Sequence, residues 1–257
     1  MNAWWNLFRK EIGLRTAVTG SQKTWAAFSV GMIALMTFMA YRYQSGVVTP
    51  LWLGIIYLHV FLPSVYLLIS FGKERERAPL WFQLPQPGWK LIGAKYAAAL
   101  TEMIGGLFVS ITMFLWMYKV EKMTLIERAG EDPFYLSGHV SYFTGLLHGS
   151  GLKEAFIFFF MAFFIAALAV LVYFTALALS NRVGRLRWLA AIVLIGAVML
   201  VEYTFEMSPV YQFLFKWGYA FDWDGEPFYS GEMIWTLANL AVVVYIPAWL
   251  LDRKVEV

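Results

Sequence analysis

Residues 47–70 read VVTPLWLGIIYLHVFLPSVYLLIS and contain no Asp, Glu, Lys or Arg. A helix of roughly 20 apolar residues crosses the hydrocarbon core of a bilayer, so this stretch alone argues for a membrane protein. Residues 96–118, YAAALTEMIGGLFVSITMFLWMY, repeat the pattern with Glu102 as their single charge. Between the two lies FGKERERAPLWFQLPQPGWKLIGAK, residues 71–95, a long charged interruption. It is where the chain is expected to meet a soluble partner.

The whole chain agrees with its centre. Hydrophobic residues make up 60% and charged ones 14% of the 257, whereas about a quarter of a soluble domain is charged. Mean hydropathy is +0.62, and a soluble core cannot absorb so many apolar side chains. Trp25, Tyr41, Trp52, Tyr118, Trp188 and Trp249 stand near the ends of apolar runs, the pattern of an interfacial aromatic belt. The absence of Cys removes disulfides, thiol nucleophiles and thiolate metal sites together. No short apolar core followed by a small-residue cleavage site opens the chain, so the N-terminus is expected to stay in the mature protein.

Six spans are read, at about 24–41, 47–70, 91–118, 154–180, 188–205 and 232–251. The expected fold is therefore all-α, a single polytopic transmembrane domain with no soluble domain, since the longest loop is too short to bury its own core. Fourteen Arg and Lys then fall on the side holding both termini (Arg9, Lys10, Arg15, Lys23, Lys73, Arg75, Arg77, Lys90, Lys95, Arg182, Arg185, Arg187, Arg253, Lys254), against six opposite (Arg42, Lys119, Lys122, Arg128, Lys153, Lys216). By the positive-inside rule both termini and residues 71–95 are cytoplasmic. Outer loops hold Glu121, Glu127, Glu131, Asp132, Asp222, Asp224 and Glu226.

In residues 1–16, Trp4, Leu7, Phe8 and Ile12 recur at helical spacing, with Arg9, Lys10 and Arg15 largely elsewhere on the wheel. That pattern predicts an interfacial helix on the inner leaflet; the alternative, a disordered basic leader, would leave two adjacent Trp in water. In residues 71–95, Lys73, Glu74, Arg75, Glu76 and Arg77 alternate in sign before Pro79, Leu80, Trp81, Phe82 and Leu84, and Pro85 and Pro87 close the run. A short helix parallel to the membrane, bounded by prolines, is one reading. The other is that the basic residues only anchor topology while Trp81 and Phe82 rest among headgroups.

The E-R-E-R stretch after span two, the short element around Gln83-Leu84-Pro85 and the Lys95 that opens span three together resemble the ABC-2 type permease pattern. Leu7-Phe8-Arg9-Lys10-Glu11 is similar to that family's amphipathic "F-x-K-E" connecting helix, and the six-span layout with both ends inside covers essentially the whole chain. Ala78-Pro79-Leu80 replaces the family's usual glycine-containing continuation. The resemblance implies a coupling helix that docks on a separate ATPase subunit, present in two copies, and a second permease copy or paralogue enclosing the path. The docking candidates it implies are Glu74, Glu76, Arg77, Leu80, Trp81 and Phe82, with residues 181–187 as a smaller contact. ATP and Mg would sit on the partner, because the chain has no G-x-x-x-x-G-K-[ST] and its glycine cluster at 145–151 lacks the Lys and hydroxyl that reach phosphate and metal. No cofactor and no nucleic acid is expected on this chain.

A charge inside a bilayer costs a few kcal/mol on insertion scales and so tends to have a role. Glu102 lies about two turns into span three and could pair with Lys95 or a basic residue nearby. Glu202 and Glu206 share one helix face near the outer end of span five, and His59 sits mid-span one turn before Pro63. These four could line a pathway or bind protons; equally, the two Glu could be interfacial and His59 a helix contact. A membrane-embedded enzyme or a non-transporting scaffold is the rival class. It finds no H-E-x-x-H, no G-x-S-x-G, no metal spacing among His59, His139 and His148, and no complete calcium loop at Asp222, Asp224 and Glu226. Residues 208–231 are apolar and aromatic although outside the spans, which predicts a re-entrant or interfacial piece. ABC-2 exporters similarly carry short re-entrant helices there, and Phe213, Phe215 and Trp217 would be buried at an outer exit. The expected function is a plasma-membrane exporter permease for amphipathic or apolar cargo, similar to exporters of phenol-soluble modulins and other peptide toxins or to peptide-antibiotic resistance permeases.

Overall fold

The structure, a computed structural model, describes residues 3–18, 22–76, 87–131, 151–223 and 226–253. Helices α1 (Ala3–Val18), α2 (Gln22–Tyr43), α3 (Val48–Leu58) and α4 (Leu62–Glu76) come first. They are followed by α5 (Gly88–Glu131), α6 (Gly151–Ala178), α7 (Ser180–Val183), α8 (Arg187–Glu206), α9 (Pro209–Phe215) and α10 (Ser230–Arg253). Among the described residues, five stretches are long and apolar enough to cross a membrane: Val48–Glu74, Gly88–Arg128, Ala155–Ala178, Gly184–Glu206 and Ser230–Asp252. The chain is thus a helical, multi-pass membrane protein. The first expected span coincides with α2, a helix of 22 residues.

Contacts divide the chain into two units, residues 1–67 with 93–165, and residues 68–92 with 166–257. In the first unit, Val48, Trp52, Leu53 and Ile56 of α3 pack with Met103, Leu107, Phe114, Met117 and Leu125 of α5, together with Ala40 and Ala162. From Met103 to Leu125 the buried positions on α5 recur at steps of three or four, the stripe of a helix that buries one face. Span two is broken in its middle. Pro63 has no N–H to give the carbonyl of His59 and would clash with it in a regular α-helix. His59–Phe61 therefore winds as a 3₁₀ turn, in which Leu62 N–H donates to the His59 carbonyl.

Helix α5 runs well past the expected span end at Tyr118, because residues 119–129 hold no Gly or Pro to stop it. Its 44 residues extend about 66 Å at 1.5 Å per residue, more than twice a hydrocarbon core. Glu121, Glu127 and Glu131, expected in an outer loop, are helical instead.

In the second unit, Phe71 stacks on Tyr173 with centroids 6.0 Å apart and meets Phe174 edge-on at 5.0 Å. The segment at 208–231 is only partly helical. Ser208 caps α9, its Oγ accepting from Tyr211 N–H at 3.2 Å, with Pro209 opening the helix. Strands β1 (Ala220–Trp223) and β2 (Glu226–Tyr229) then pair antiparallel from Ala220↔Tyr229 to Trp223↔Glu226. A short helix and a strand pair thus make up the segment expected to be a re-entrant or interfacial piece, the strands lying where a solvated turn was expected. Gly218, with φ of +88°, turns the chain from α9 into the hairpin, a conformation that glycine adopts without steric cost.

Candidate functional site

Two polar features in the first unit were not expected. Helix α3 begins at Val47, whose side chain cannot accept a hydrogen bond. The free N–H groups of its first turn need a partner, and Glu121 of α5 supplies one. Its Oε2 accepts from Thr49 N–H at 2.9 Å and from the Thr49 hydroxyl at 3.0 Å, while Oε1 accepts from Val48 N–H at 3.4 Å. The Glu121 side chain is fully buried, and a carboxylate at a helix N-terminus is the favourable sign for the helix dipole.

The second feature joins α1 to the start of the third span. Lys95 Nζ lies 3.0 Å from Glu11 Oε2, with both side chains buried. Trp4 packs on the same region of α5, its indole nitrogen beside Gly93. Trp4 and Trp5 both stack on Phe8, and the Arg9 guanidinium lies 5.3 Å from the Trp5 ring centre. Helix α1 is therefore docked on protein as well as being amphipathic. Lys95 thus has a partner on α1 that its own helix did not suggest, while Glu102 is half-buried two turns further along α5.

His59 sits on the 3₁₀ turn, its Nδ1 2.7 Å from the Ile55 carbonyl. A carbonyl only accepts, so Nδ1 is the donor. The opposite edge of the ring lies on Gly106, where a Cβ would stand 2.6 Å from Nε2. Gly106 is what lets the imidazole edge come so close to α5.

In the second unit, Glu202 accepts from Asn239 Nδ2, and Glu206 Oε1 accepts from Trp235 Nε1 at 3.2 Å. The i, i+4 pair thus forms a polar seam along α8 and α10. Beside it, Phe205, Tyr211, Phe215 and Trp235 form an aromatic cluster, with Phe215 and Trp235 centred 4.7 Å apart. Burial, helped by the carboxylates of Glu232, Glu206 and Glu202, pushes the Tyr211 phenol up to about 12. Of the three residues expected at an outer exit, Phe215 packs on Trp235 inside the α10 span, Trp217 lies beside Gly231 at the head of α10, and Phe213 points away. Phe213 is 86% and Trp217 52% exposed, because the inward face of a helix this short is taken by Tyr211 and Phe215, four apart.

Glu74 is half-buried in the last turn of α4, and Glu76 ends that helix. Arg77, Leu80, Trp81 and Phe82, the rest of the candidate docking segment, lie outside the described residues. The far boundary of that segment is fixed: Gly88 N–H, at the start of α5, donates to Asp252 Oδ1 of α10 at 2.8 Å. Arg182, Arg185 and Arg187 lie in and beside the short turn that separates α6 from α8. Among the described residues, no group of three His, Asp or Glu is placed to hold a metal ion. Comparison with protein-family models, with curated proteins and with solved structures finds no match.

Proposed function

We propose that this chain is the membrane-spanning permease subunit of an ATP-driven exporter of the ABC-2 type. It works in the plasma membrane with six spans, α2 being the first, and with both termini cytoplasmic. Two copies, or this chain and a paralogue, enclose the path. Two copies of a separate ATPase bind ATP and Mg, so this subunit has no catalytic site of its own. The cargo is amphipathic or apolar, with peptides favoured by the aromatic side chains around residues 205–219.

The observation that carries this reading is the Glu11–Lys95 pair. It joins two of the sequence elements on which the resemblance rests, the Phe8-Arg9-Lys10-Glu11 stretch and the Lys that opens span three. A buried ion pair is expensive unless geometry repays desolvation, so its presence favours an N-terminal helix with a fixed mechanical relation to α5. Further support comes from the charged end of α4 and the capped start of α5, which bracket the docking segment carrying Arg77, Leu80, Trp81 and Phe82.

The test is purification of the chain from its native membrane into nanodiscs. The expected result is a co-purifying P-loop ATPase near one copy per permease, with ATP hydrolysis that falls when Leu80, Trp81 and Phe82 are together replaced by Ala while permease yield is kept. A stably folded chain that carries no ATPase would remove the proposal. A triple-Ala variant with unchanged hydrolysis and transport would return residues 71–95 to the role of topology anchor.

A further inference from the structure

The link between α8 and α10 turns an apolar face outward. In α9, Tyr211 and Phe215 face the aromatic cluster, which leaves Val210, Phe213 and Leu214 on the other side at i, i+3 and i+4 spacing. A helix lying in water would carry polar side chains at those positions. Here they are Val, Phe and Leu, all exposed, and Trp217 and the 71% exposed Tyr219 continue the face. Trp217 Nε1 already donates to the Leu214 carbonyl at 2.7 Å, so the indole has no unmet donor to keep it in water. Lys216 is exposed next to it.

The neighbouring surface identifies the occupant. Helix α8 is long and apolar enough to cross a membrane and buries only Ala191 and Ile195 among its side chains, so exposed Leu200, Val201 and Tyr203 give it an apolar surface at this end, as a helix face against lipid would have. Exposed Met207 carries that surface to α9 without a gap, and only Met207 and Ser208 separate the two helices. So short a link holds α9 at the membrane surface, where aromatic rings and a lysine suit the headgroup region. We infer that Val210, Phe213, Leu214, Trp217 and Tyr219 form a lipid-binding plate. It seats the segment in the boundary between headgroups and acyl chains, in the leaflet where α8 ends and α10 begins. The inference rests on α8 and α10 being spans and not on the transport reading.

The absence of Cys makes the test clean. Nitroxide labels are placed at Phe213→Cys and Val210→Cys, with Leu194→Cys on exposed mid-α8 as the lipid reference and Arg185→Cys as the water reference. All are reconstituted in phosphatidylethanolamine–phosphatidylglycerol vesicles and checked for unchanged elution. At positions 213 and 210, collisions with oxygen should exceed those with a water-soluble nickel chelate several-fold, approaching the Leu194 ratio. A ratio equal to that of Arg185 would place the face in water and overturn the inference. Labels shielded from both reagents would overturn it too, by showing protein cover such as a second copy.

Discussion

Replacing Glu121 by Ala is the sharpest perturbation the structure offers. Three donors point at this carboxylate: Thr49 N–H at 2.9 Å, the Thr49 hydroxyl at 3.0 Å and, more weakly, Val48 N–H at 3.4 Å. Thr49 and Glu121 are both fully buried, so water cannot take over. Each buried donor left unmet costs about 1–3 kcal/mol, and the two strong ones with the emptied volume give about 3–5 kcal/mol. At about 2–4 °C per kcal/mol for a chain of this order of size, the thermal midpoint in detergent should fall by roughly 6–20 °C. Glu121→Gln keeps one oxygen for the Thr49 groups but turns an amide NH₂ toward Val48 N–H, and should lose only about 1–2 kcal/mol. Thr49→Val removes the hydroxyl alone, so its double-mutant cycle with Glu121→Ala should show a coupling of about 0.5–1.5 kcal/mol. A Glu121→Ala midpoint within about 2 °C of the parent, less than 1 kcal/mol by the same conversion, would refute the idea that this carboxylate holds the α3 N-terminus.

The other predictions need less argument. Gly106→Ala would place a Cβ 2.6 Å from His59 Nε2 and should destabilise by about 1–3 kcal/mol, whereas Gly105→Ala meets nothing within 4 Å and should gain about 0.5–1 kcal/mol in helix propensity; equal midpoints for the two would displace His59 from α5. Lys95→Met leaves Glu11 buried without its cation and should cost about 3–5 kcal/mol, with much of the loss recovered by the exchange Glu11→Lys with Lys95→Glu; an exchange no better than Lys95→Met alone would show that the pair does not fix α1. Single Cys residues at Gln86 and Val257 should label from the cytoplasm only and those at Gly130 and Gly225 from outside only, and outside labelling at Gln86 would reverse the topology and remove the docking proposal with it.

The helices were legible because their signal is composition over 20 or more residues. Residues 47–70 and 96–118 could hardly be anything else, although the 3₁₀ break before Pro63 was not read from the sequence. What the sequence hid was of two kinds. Glu121 looked like a loop acid because the span was ended at Tyr118, yet it continues the stripe of Phe114, Met117 and Leu125 on a helix with no breaker until Gly130. Extending the helical wheel by one turn would have put a carboxylate in the apolar face. The hairpin had a local signal, Asp224-Gly225 between aromatic runs, which is strong chemistry for a two-residue turn; the apolar character of the flanks outweighed it. The Glu11–Lys95 pair had no local signal, since 84 positions separate its members and Glu102 was the nearer partner along the helix.

The acidic residues then sort by what they accept from, and that bears on which of them could serve transport. Three hold helix starts that lack a capping side chain: Glu121 at Val47 and α3, Asp252 at Pro87 and α5, and Glu232, whose Oε2 accepts from Tyr229 N–H at 2.9 Å at the head of α10. Free N–H groups near a bilayer have little water to turn to, so these carboxylates are accounted for by architecture and their removal should damage folding first. Glu11 is accounted for by Lys95. Glu202 and Glu206 differ, because they accept from the side chains of Asn239 and Trp235, groups that no helix end requires to be there. A polar seam between two apolar helices, free of any capping duty, is the place where, on the exporter proposal, substitution should alter transport without unfolding the chain. Glu202→Gln keeps an acceptor for Asn239 and should leave the thermal midpoint within about 1 kcal/mol of the parent while changing export. If Glu202→Gln instead unfolds like Glu121→Ala, the seam is one more structural fastening, and the search for a pathway moves to Glu102 and His59.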